Sequence, residues 1–276
     1  AKGRPRFNPL IVHVASIEAA RRIARLTPAA ERLAAQFWPG ALTLVVPLAA
    51  RGSVSDLVTA GLETIAIRVP AHPVARALLR QCGLPVAAPS ANVSGRVSTT
   101  TAMHVIDDLG DRVSVVLDAG PTPLGLESTI LDATGDDLIL LRPGAISVEE
   151  IKQRCGLEVV RHQSAGARPT APGQLQSHYA PAAPVRMDAT DARPGEALLA
   201  FGPEPPPHSG PAFNLSPSGD LVEAATNLFA ALRRLDAPGS TAIAVMPIPE
   251  TGLGEAINDR LRRAAAPRDG ASAASP

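Results

Sequence analysis

Thr64-Ile65-Ala66-Ile67-Arg68-Val69, then His72 to Cys82 closed by Gly83, then Pro85-Val86-Ala87-Ala88 running into Pro89-Ser90-Ala91-Asn92, is the stretch that decides the fold class. The first run is rich in β-branched residues and alternates with period two, which predicts a strand. The second has a helical apolar spacing and a glycine where a left-handed residue would end it. The third is a short apolar run bounded by turn residues. Strand, helix and strand in succession predict an α/β domain.

The same alternation extends both ways. Upstream, Ser16 predicts a helix cap for a run to Leu26, and Thr27-Pro28 a second cap with proline at the first helical position, continuing to Gln36. Trp38-Pro39-Gly40 stops that helix, and Leu42 to Val46 reads as a strand. Downstream, Thr99 to Leu109 reads as a helix, and Val113–Leu117, Ser128–Asp132 and Leu138–Leu141 as strands. Ser147 and Glu150 form a capping box for a helix to Arg154.

Composition then shifts. His162 to Gly173 is rich in Ser, Ala, Gly and Pro without apolar period and reads as a linker. A second block follows: strand Ala197–Phe201, a proline-rich loop from Pro203 to Pro211, helix Asp220–Leu235, strand Ala242–Met246 and helix Leu253–Arg263. The expected division is 1–161, a linker or lid at 162–182, a smaller Rossmann-like α/β domain at 183–263, and a low-complexity tail at 264–276. A chain of 276 residues fits two such domains at about 150 residues each.

Equal numbers of basic and acidic residues, 26 each, weigh against a protein that holds nucleic acid through phosphates alone. Aromatics at 3% weigh against base-stacking platforms. Cys82 and Cys155 make no metal or disulfide framework. The longest apolar run, Ala41 to Ala50, is too short to span a bilayer, and no signal peptide is visible, so the expectation is a cytoplasmic protein without membrane contact. A Walker A loop is absent. Gly252-Leu253-Gly254 resembles the start of a dinucleotide fingerprint but lacks its third small residue, and reads as a tight turn before a helix.

Three features carry chemistry. Lys2, Arg4 and Arg6 lie in a segment kept non-helical by Gly3, Pro5 and Pro9; such a loop can wrap an anion, or be a solvated terminus. Ser90 and Asn92 follow a buried strand among small residues, where a ligand can approach closely or a turn can simply be capped. Arg68 lies within a strand, with Thr64 and Ala66 on its face and Ile65, Ile67 and Val69 on the other. It can clamp a carboxylate, face solvent, or pair with an internal acid such as Asp118 or Glu127. Arg142-Pro143-Gly144 repeats the pattern at a strand end.

These motifs together resemble the YrdC/Sua-type L-threonylcarbamoyladenylate synthases in their two-domain form. The resemblance is carried by Lys2-x-Arg4-Pro5 through Asn8-Pro9-Leu10-Ile11-Val12-His13, Phe37-Trp38-Pro39-Gly40, Ile67-Arg68-Val69-Pro70, Ala88-Pro89-Ser90-Ala91-Asn92-Val93-Ser94-Gly95, Glu127-Ser128-Thr129-Ile130, Leu141-Arg142-Pro143-Gly144 and His178-Tyr179-Ala180-Pro181, in the family's order. It implies a twisted mixed sheet with a wide basic cavity, and the conversion of L-threonine, bicarbonate and ATP, with Mg²⁺, to threonylcarbamoyl-AMP and pyrophosphate. A separate tRNA threonylcarbamoyl transferase would consume the product beside the anticodon, and a weak contact with tRNA or other RNA is compatible.

By resemblance, Lys2, Arg4, Asn8, Thr64, Ser90, Asn92, Ser98, Arg142 and Tyr179 hold ATP, with Lys2, Arg4, Ser90 and Asn92 taking part in catalysis. His13, Arg68, the backbone of Ala88, and Ser128 hold threonine. Tyr179 would fold over the nucleotide from the linker as part of a lid. No metal-ligating side chains and no general base are expected. The resemblance also implies a strand and a Pro-Thr-Glu-Thr-like motif ahead of Lys2, so the catalytic domain is expected to be N-terminally incomplete and impaired. The competing readings are an RNA-binding translation or ribosome factor of the same fold, disfavoured by the charge and aromatic content, and a related carbamoyl-transfer enzyme, disfavoured by the second domain.

Overall fold

The computed structural model describes residues 1–52, 54–161 and 169–267. Residues 162–168 of the expected linker and 268–276 of the expected tail lie outside the described residues.

In chain order the elements are β1 (Ile11–His13), α1 (Ile17–Arg21), α2 (Pro28–Phe37), β2 (Leu42–Pro47), α3 (Asp56–Thr59), β3 (Thr64–Arg68), α4 (Pro73–Cys82), β4 (Val86–Ala87), α5 (Ala102–Leu109), β5 (Thr129–Asp132), β6 (Leu138–Arg142), α6 (Val148–Cys155), β7 (Val159–Arg161), β8 (Val185–Arg186), β9 (Ala197–Ala200), β10 (Ala212–Asn214), α7 (Leu221–Leu235), β11 (Ile243–Val245) and α8 (Leu253–Ala265). The helix starts follow the sequence signals. Ser16, Thr27, Ser147 and Asp220 each accept an amide of the first turn through the side chain. Gly83 ends α4 at φ +65°, where a side chain would be strained.

Two compact units result, and they do not follow chain order. One contains Arg4–Pro89 and Glu127–Gln174; the other contains Ala1–Gly3, Ser90–Leu126 and Leu175–Pro276. Segment 90–126 therefore groups with the C-terminal block, whereas the sequence pattern places it within 1–161. The reason lies in its packing. Val97 and Leu126 join the apolar core built on α7, and Gly125 lies so close to α7 that a Cβ there would be 2.2 Å from the Ala225 carbonyl.

The first unit holds a mixed seven-stranded sheet of order β4-β1-β3-β2-β5-β6-β7. On one face Val12, Leu42, Leu44, Val46, Ile65, Ile67 and Leu131 pack against Leu33, Ala34, Phe37 and Ile151 from α2 and α6. On the other face Ile11, Val45, Ala66 and Ile130 form a smaller cluster. The second unit holds a four-stranded parallel sheet of order β10-β9-β11-β8, packed on α7 and α8 through Leu199, Ile243, Leu228 and Ile257. A parallel sheet with both helices packed on its Leu199–Ile243 face is an α/β layer arrangement, as the strand–helix alternation of the second block predicts.

Four expectations need correction. The first helix ends at Arg21, not Leu26: the Ile23 carbonyl accepts from Ala49 and the Arg25 amide donates to Pro47, which diverts the backbone into bridging with the end of β2. Val113–Leu117 is not a strand. Val115 and Leu117 are 75% and 63% exposed, and β-propensity without a neighbouring strand does not build a ladder. Helix α5 begins at Ala102 because Thr101 caps it. Helix α8 extends through Ala265, with Ala264 buried, so the tail does not begin at 264.

Candidate functional site

The second face of the large sheet is where the expected threonine residues collect. His13 and Arg68 are register partners on the parallel strands β1 and β3. Thr64, Ala66 and Arg68 share the face opposite to Ile65 and Ile67, as the period-two reading predicted. Arg68 donates from Nε to the Gly40 carbonyl at 2.8 Å and, among the described residues, forms no ion pair with an acid. The internal-acid alternative with Asp118 or Glu127 is therefore not realised here. Gly40 can bring its carbonyl to Arg68 because it has no side chain: a Cβ there would be 2.0 Å from the Phe37 carbonyl.

Arg142 reaches the same face by a register slip. Leu131 pairs with Leu140, but Ile130 pairs with Arg142, so the pairing shifts at Leu141. The extra residue is a β-bulge, and it turns Arg142 away from the side shared by Leu138 and Leu140, onto that of Ile130. Arg142 is 4% exposed and donates to the Ser128 carbonyl at 2.8 Å and to Ser128 Oγ at 3.2 Å. Ser128 Oγ in turn lies 2.8 Å from Thr43 Oγ1. Gly144 closes this corner: a Cβ there would fall 2.4 Å from the Thr129 nitrogen.

Two guanidiniums on one half-dry face raise each other's electrostatic cost. Burial, and then the Arg142 charge, lower the Arg68 pKa to about 10. Burial, and then the Arg68 charge, lower the His13 pKa to about 4, so His13 is neutral at pH 7. The face presents positive charge with a neutral imidazole and two hydroxyls beside it, a chemistry complementary to a small anion. Ala88 donates its amide to the Ile11 carbonyl at 3.1 Å, so that amide is already used within the sheet.

The expected ATP residues are divided between the units. Arg4, Asn8, Thr64 and Arg142 belong to the first; Lys2, Ser90, Asn92, Ser98 and Tyr179 to the second. Arg4 donates to the Pro9 carbonyl at 2.9 Å and folds its own loop. Asn8 is buried with Oδ1 unpartnered, a polar atom awaiting a donor. Lys2 donates to the carbonyls of Ser90 and Asn92 and to Asn92 Oδ1, which brings two of the sequence motifs into contact. Asn92 spends its amide on the Val93 and Arg96 carbonyls, at 2.8 and 2.9 Å. It shapes the loop from within. Ser98 is buried.

Tyr179 stands differently from the expectation. It is 1% exposed, packed on Phe229 at 5.5 Å between ring centroids and beneath the Arg260 guanidinium at 5.3 Å. It is a core residue of the second unit in this structure, not a ring offered to a nucleotide. The Gly252-Leu253-Gly254 turn is a packing device as well, since a Cβ on Gly254 would lie 1.8 Å from the Pro249 carbonyl.

Sequence reasoning missed Thr43, whose only signal was a lone hydroxyl in an otherwise apolar buried strand. It also missed Arg233 and Asp108, which the chain brings together across 125 residues. Among the described residues no group of three His, Cys, Asp or Glu side chains is arranged to hold a metal, and no helix is long and apolar enough to cross a membrane.

Comparison with known proteins finds relatives over nearly the whole chain. The Sua5/YciO/YrdC family model, described as telomere recombination, matches residues 1–144, and the model described as threonylcarbamoyl-AMP synthase, C-terminal domain, matches residues 146–266. The threonylcarbamoyl-AMP synthase of Bacillus subtilis is 40% identical over 285 residues, covering 97% of this chain and 82% of the relative. That of Pyrococcus abyssi is 40% identical over 281 residues, covering 96% and 82%. The crystal structure of the Pyrococcus abyssi Sua5 protein complexed with L-threonine superposes with a TM-score of 0.86 at 36% identity, over 96% of this chain and 82% of that one. With both family models matched in order and relatives of this identity covered over four-fifths of their length, the chain belongs to the Sua5/YciO/YrdC family, in the form that carries the threonylcarbamoyl-AMP synthase C-terminal domain.

Proposed function

We propose that this protein is an L-threonylcarbamoyladenylate synthase, a nucleotidyltransferase acting in the cytoplasm. L-Threonine and bicarbonate condense to N-carboxy-threonine with loss of water and a proton. A carbamate oxygen then attacks the α-phosphorus of ATP, the bond to the β-phosphate oxygen breaks, and pyrophosphate leaves. The threonylcarbamoyl-AMP is consumed by a separate transferase that modifies tRNA beside the anticodon.

The observation that carries this reading is the paired Arg68 and Arg142 beside Ser128 and a neutral His13 on one sheet face. Arg68 takes the threonine carboxylate with its guanidinium fork, a geometry an ammonium cannot reproduce. His13, uncharged at pH 7, accepts a hydrogen bond without adding to the positive charge. The Ala88 carbonyl offers an acceptor to the substrate amine or hydroxyl. Arg142, Lys2, Arg4 and the Asn8, Thr64, Ser90, Asn92 and Ser98 groups serve the nucleotide, where donors in place before charge shifts onto pyrophosphate stabilise the transition state. The carbamate step relies on proximity more than on a strong base. Mg²⁺ would enter with ATP, coordinated by phosphate oxygens and water, a mode that needs no acidic cage on the protein. Tyr179 would have to leave the core to cover a nucleotide, so its resting role is to hold the second unit together.

The test is ATP–pyrophosphate exchange with isolation of the adenylate. Exchange that requires both threonine and bicarbonate supports the synthase. Exchange indifferent to threonine, or RNA binding without any exchange, overturns it.

A further inference from the structure

The loop from Ser90 to Ser98 has no helix and no ladder of its own, yet its carbonyls are held almost one by one. Lys2 takes those of Ser90 and Asn92, and the Asn92 amide takes those of Val93 and Arg96. The last two are taken by a residue from the far part of the chain. Arg233, on α7, donates from Nη2 to the Val97 carbonyl at 2.6 Å and from Nε to the Ser98 carbonyl at 3.1 Å. The same guanidinium grips both carboxylate oxygens of Asp108 on α5, each at 2.9 Å. Asp108 Oδ2 then accepts the Val93 amide at 3.2 Å, at the other end of the loop. One planar group therefore fixes two successive peptides directly and a third through its carboxylate partner, with both side chains mostly buried.

We propose that Arg233, acting through Asp108, is a positioning residue for the synthase reaction: it holds the Ser90–Ser98 loop in the shape that presents Ser90 and Ser98 to ATP. The inference rests on the nucleotide-binding reading of that loop. It gives the C-terminal block a task in catalysis, since α7 lies in the segment matched by the C-terminal domain model while the loop lies in the other. Two adjacent carbonyls and two carboxylate oxygens make a target of four acceptors, met by three nitrogens of one guanidinium. A lysine keeps the charge but has three donors on a single nitrogen, so it cannot make all four bonds at once. A packing role alone would make the loss general; a positioning role makes it fall on ATP.

The experiment compares wild type, Arg233→Lys and Asp108→Asn in the full chain. ATP affinity and threonine affinity are measured separately by calorimetry, with the melting temperature and the hydrogen-exchange rate of the Val93 amide. The expected result for Arg233→Lys is ATP affinity at least tenfold weaker, threonine affinity within twofold, and Val93 exchange at least tenfold faster. Asp108→Asn shifts ATP affinity and Val93 exchange in the same direction and keeps the proposal testable should Arg233→Lys fold poorly. Unchanged ATP affinity, or ATP and threonine affinities that fall together in step with melting temperature, overturns the proposal. Wild-type protein that binds ATP but makes no adenylate removes the synthase reading alone, and the ATP arm still decides the positioning role. Wild-type protein that binds no ATP overturns both.

Discussion

Arg142 stands near enough to Arg68, across the face shared by β3 and β6, for its charge to add to burial in lowering the Arg68 pKa to about 10. Two like charges this close repel each other, and an anion placed between them lowers that cost. Arg68→Lys is expected to keep fold and charge, leave ATP affinity nearly unchanged, and raise the threonine requirement at least tenfold, about 1.4 kcal/mol. Melting temperature and separate substrate titrations check it. A destabilised variant with unaltered threonine dependence would sink the carboxylate clamp.

His13 makes a prediction about acid. Its folded pKa is about 4, against 6.5 for an ordinary histidine. Between those values the unfolded chain binds the proton and the folded one does not, so stability falls as pH drops from 6.5 towards 4 and this contribution levels off below. The full shift corresponds to at most about 3 kcal/mol. Urea unfolding at pH 7 and pH 4.5 should show a smaller loss for His13→Gln than for wild type. Equal losses would mean that His13 does not titrate this way.

Lys2 and Arg4 are expected to act on the nucleotide and not on threonine. Removing one partner of a charge pair at a desolvated contact costs about 2–5 kcal/mol. Lys2→Ala also releases the Ser90 and Asn92 carbonyls, so its effect on ATP should exceed that of Ser90→Ala. Calorimetry with ATP and with threonine distinguishes the two substrates; ATP affinity unchanged in both Lys2→Ala and Arg4→Ala would contradict the assignment.

How far the sequence reveals this site depends on the range of the interaction. Alternation in Thr64–Val69 places Arg68 on the ligand face without any structure, because a strand's faces follow from parity. Parity fails for Arg142: counted from Leu138 and Leu140 it belongs among the helices, and the slip at Leu141 reverses it. A bulge is set by what the neighbouring strand offers, which one strand's sequence does not contain. Helix caps at Ser16, Thr27 and Ser147 are legible because donor and acceptor lie three residues apart. The Arg233–Ser98 bond spans 135 residues and leaves no local trace. Tyr179 is instructive in the opposite sense. Its motif is conspicuous, but its burial depends on Phe229 and Arg260, which no local pattern announces.

Gly144 should tolerate no side chain. Gly144→Ala forces a Cβ against the backbone of Ser128 and Thr129, where nothing is a flexible side-chain end that could move aside. Overpacking of this kind costs about 1–3 kcal/mol. The displacement would carry Ser128 away from Arg142, so threonine affinity should fall with stability. Chemical denaturation and a threonine titration read both. Wild-type values for either would show that the corner is looser than its geometry.

The extra residue at Leu141 lets two successive side chains of β6 face the same side: Leu141 packs on the Ile130 cluster and Arg142 follows it there. Ironing the bulge out, with Leu141 paired to Ile130, would leave composition unchanged and every other strand in place. It would nonetheless swing the Arg142 guanidinium from the ligand side into the apolar layer under α2 and α6, where no anion can follow. A one-residue register slip at this spot is therefore more damaging than most substitutions nearby, and anyone transplanting the anion-binding face onto another sheet would have to carry the irregularity along with the arginines.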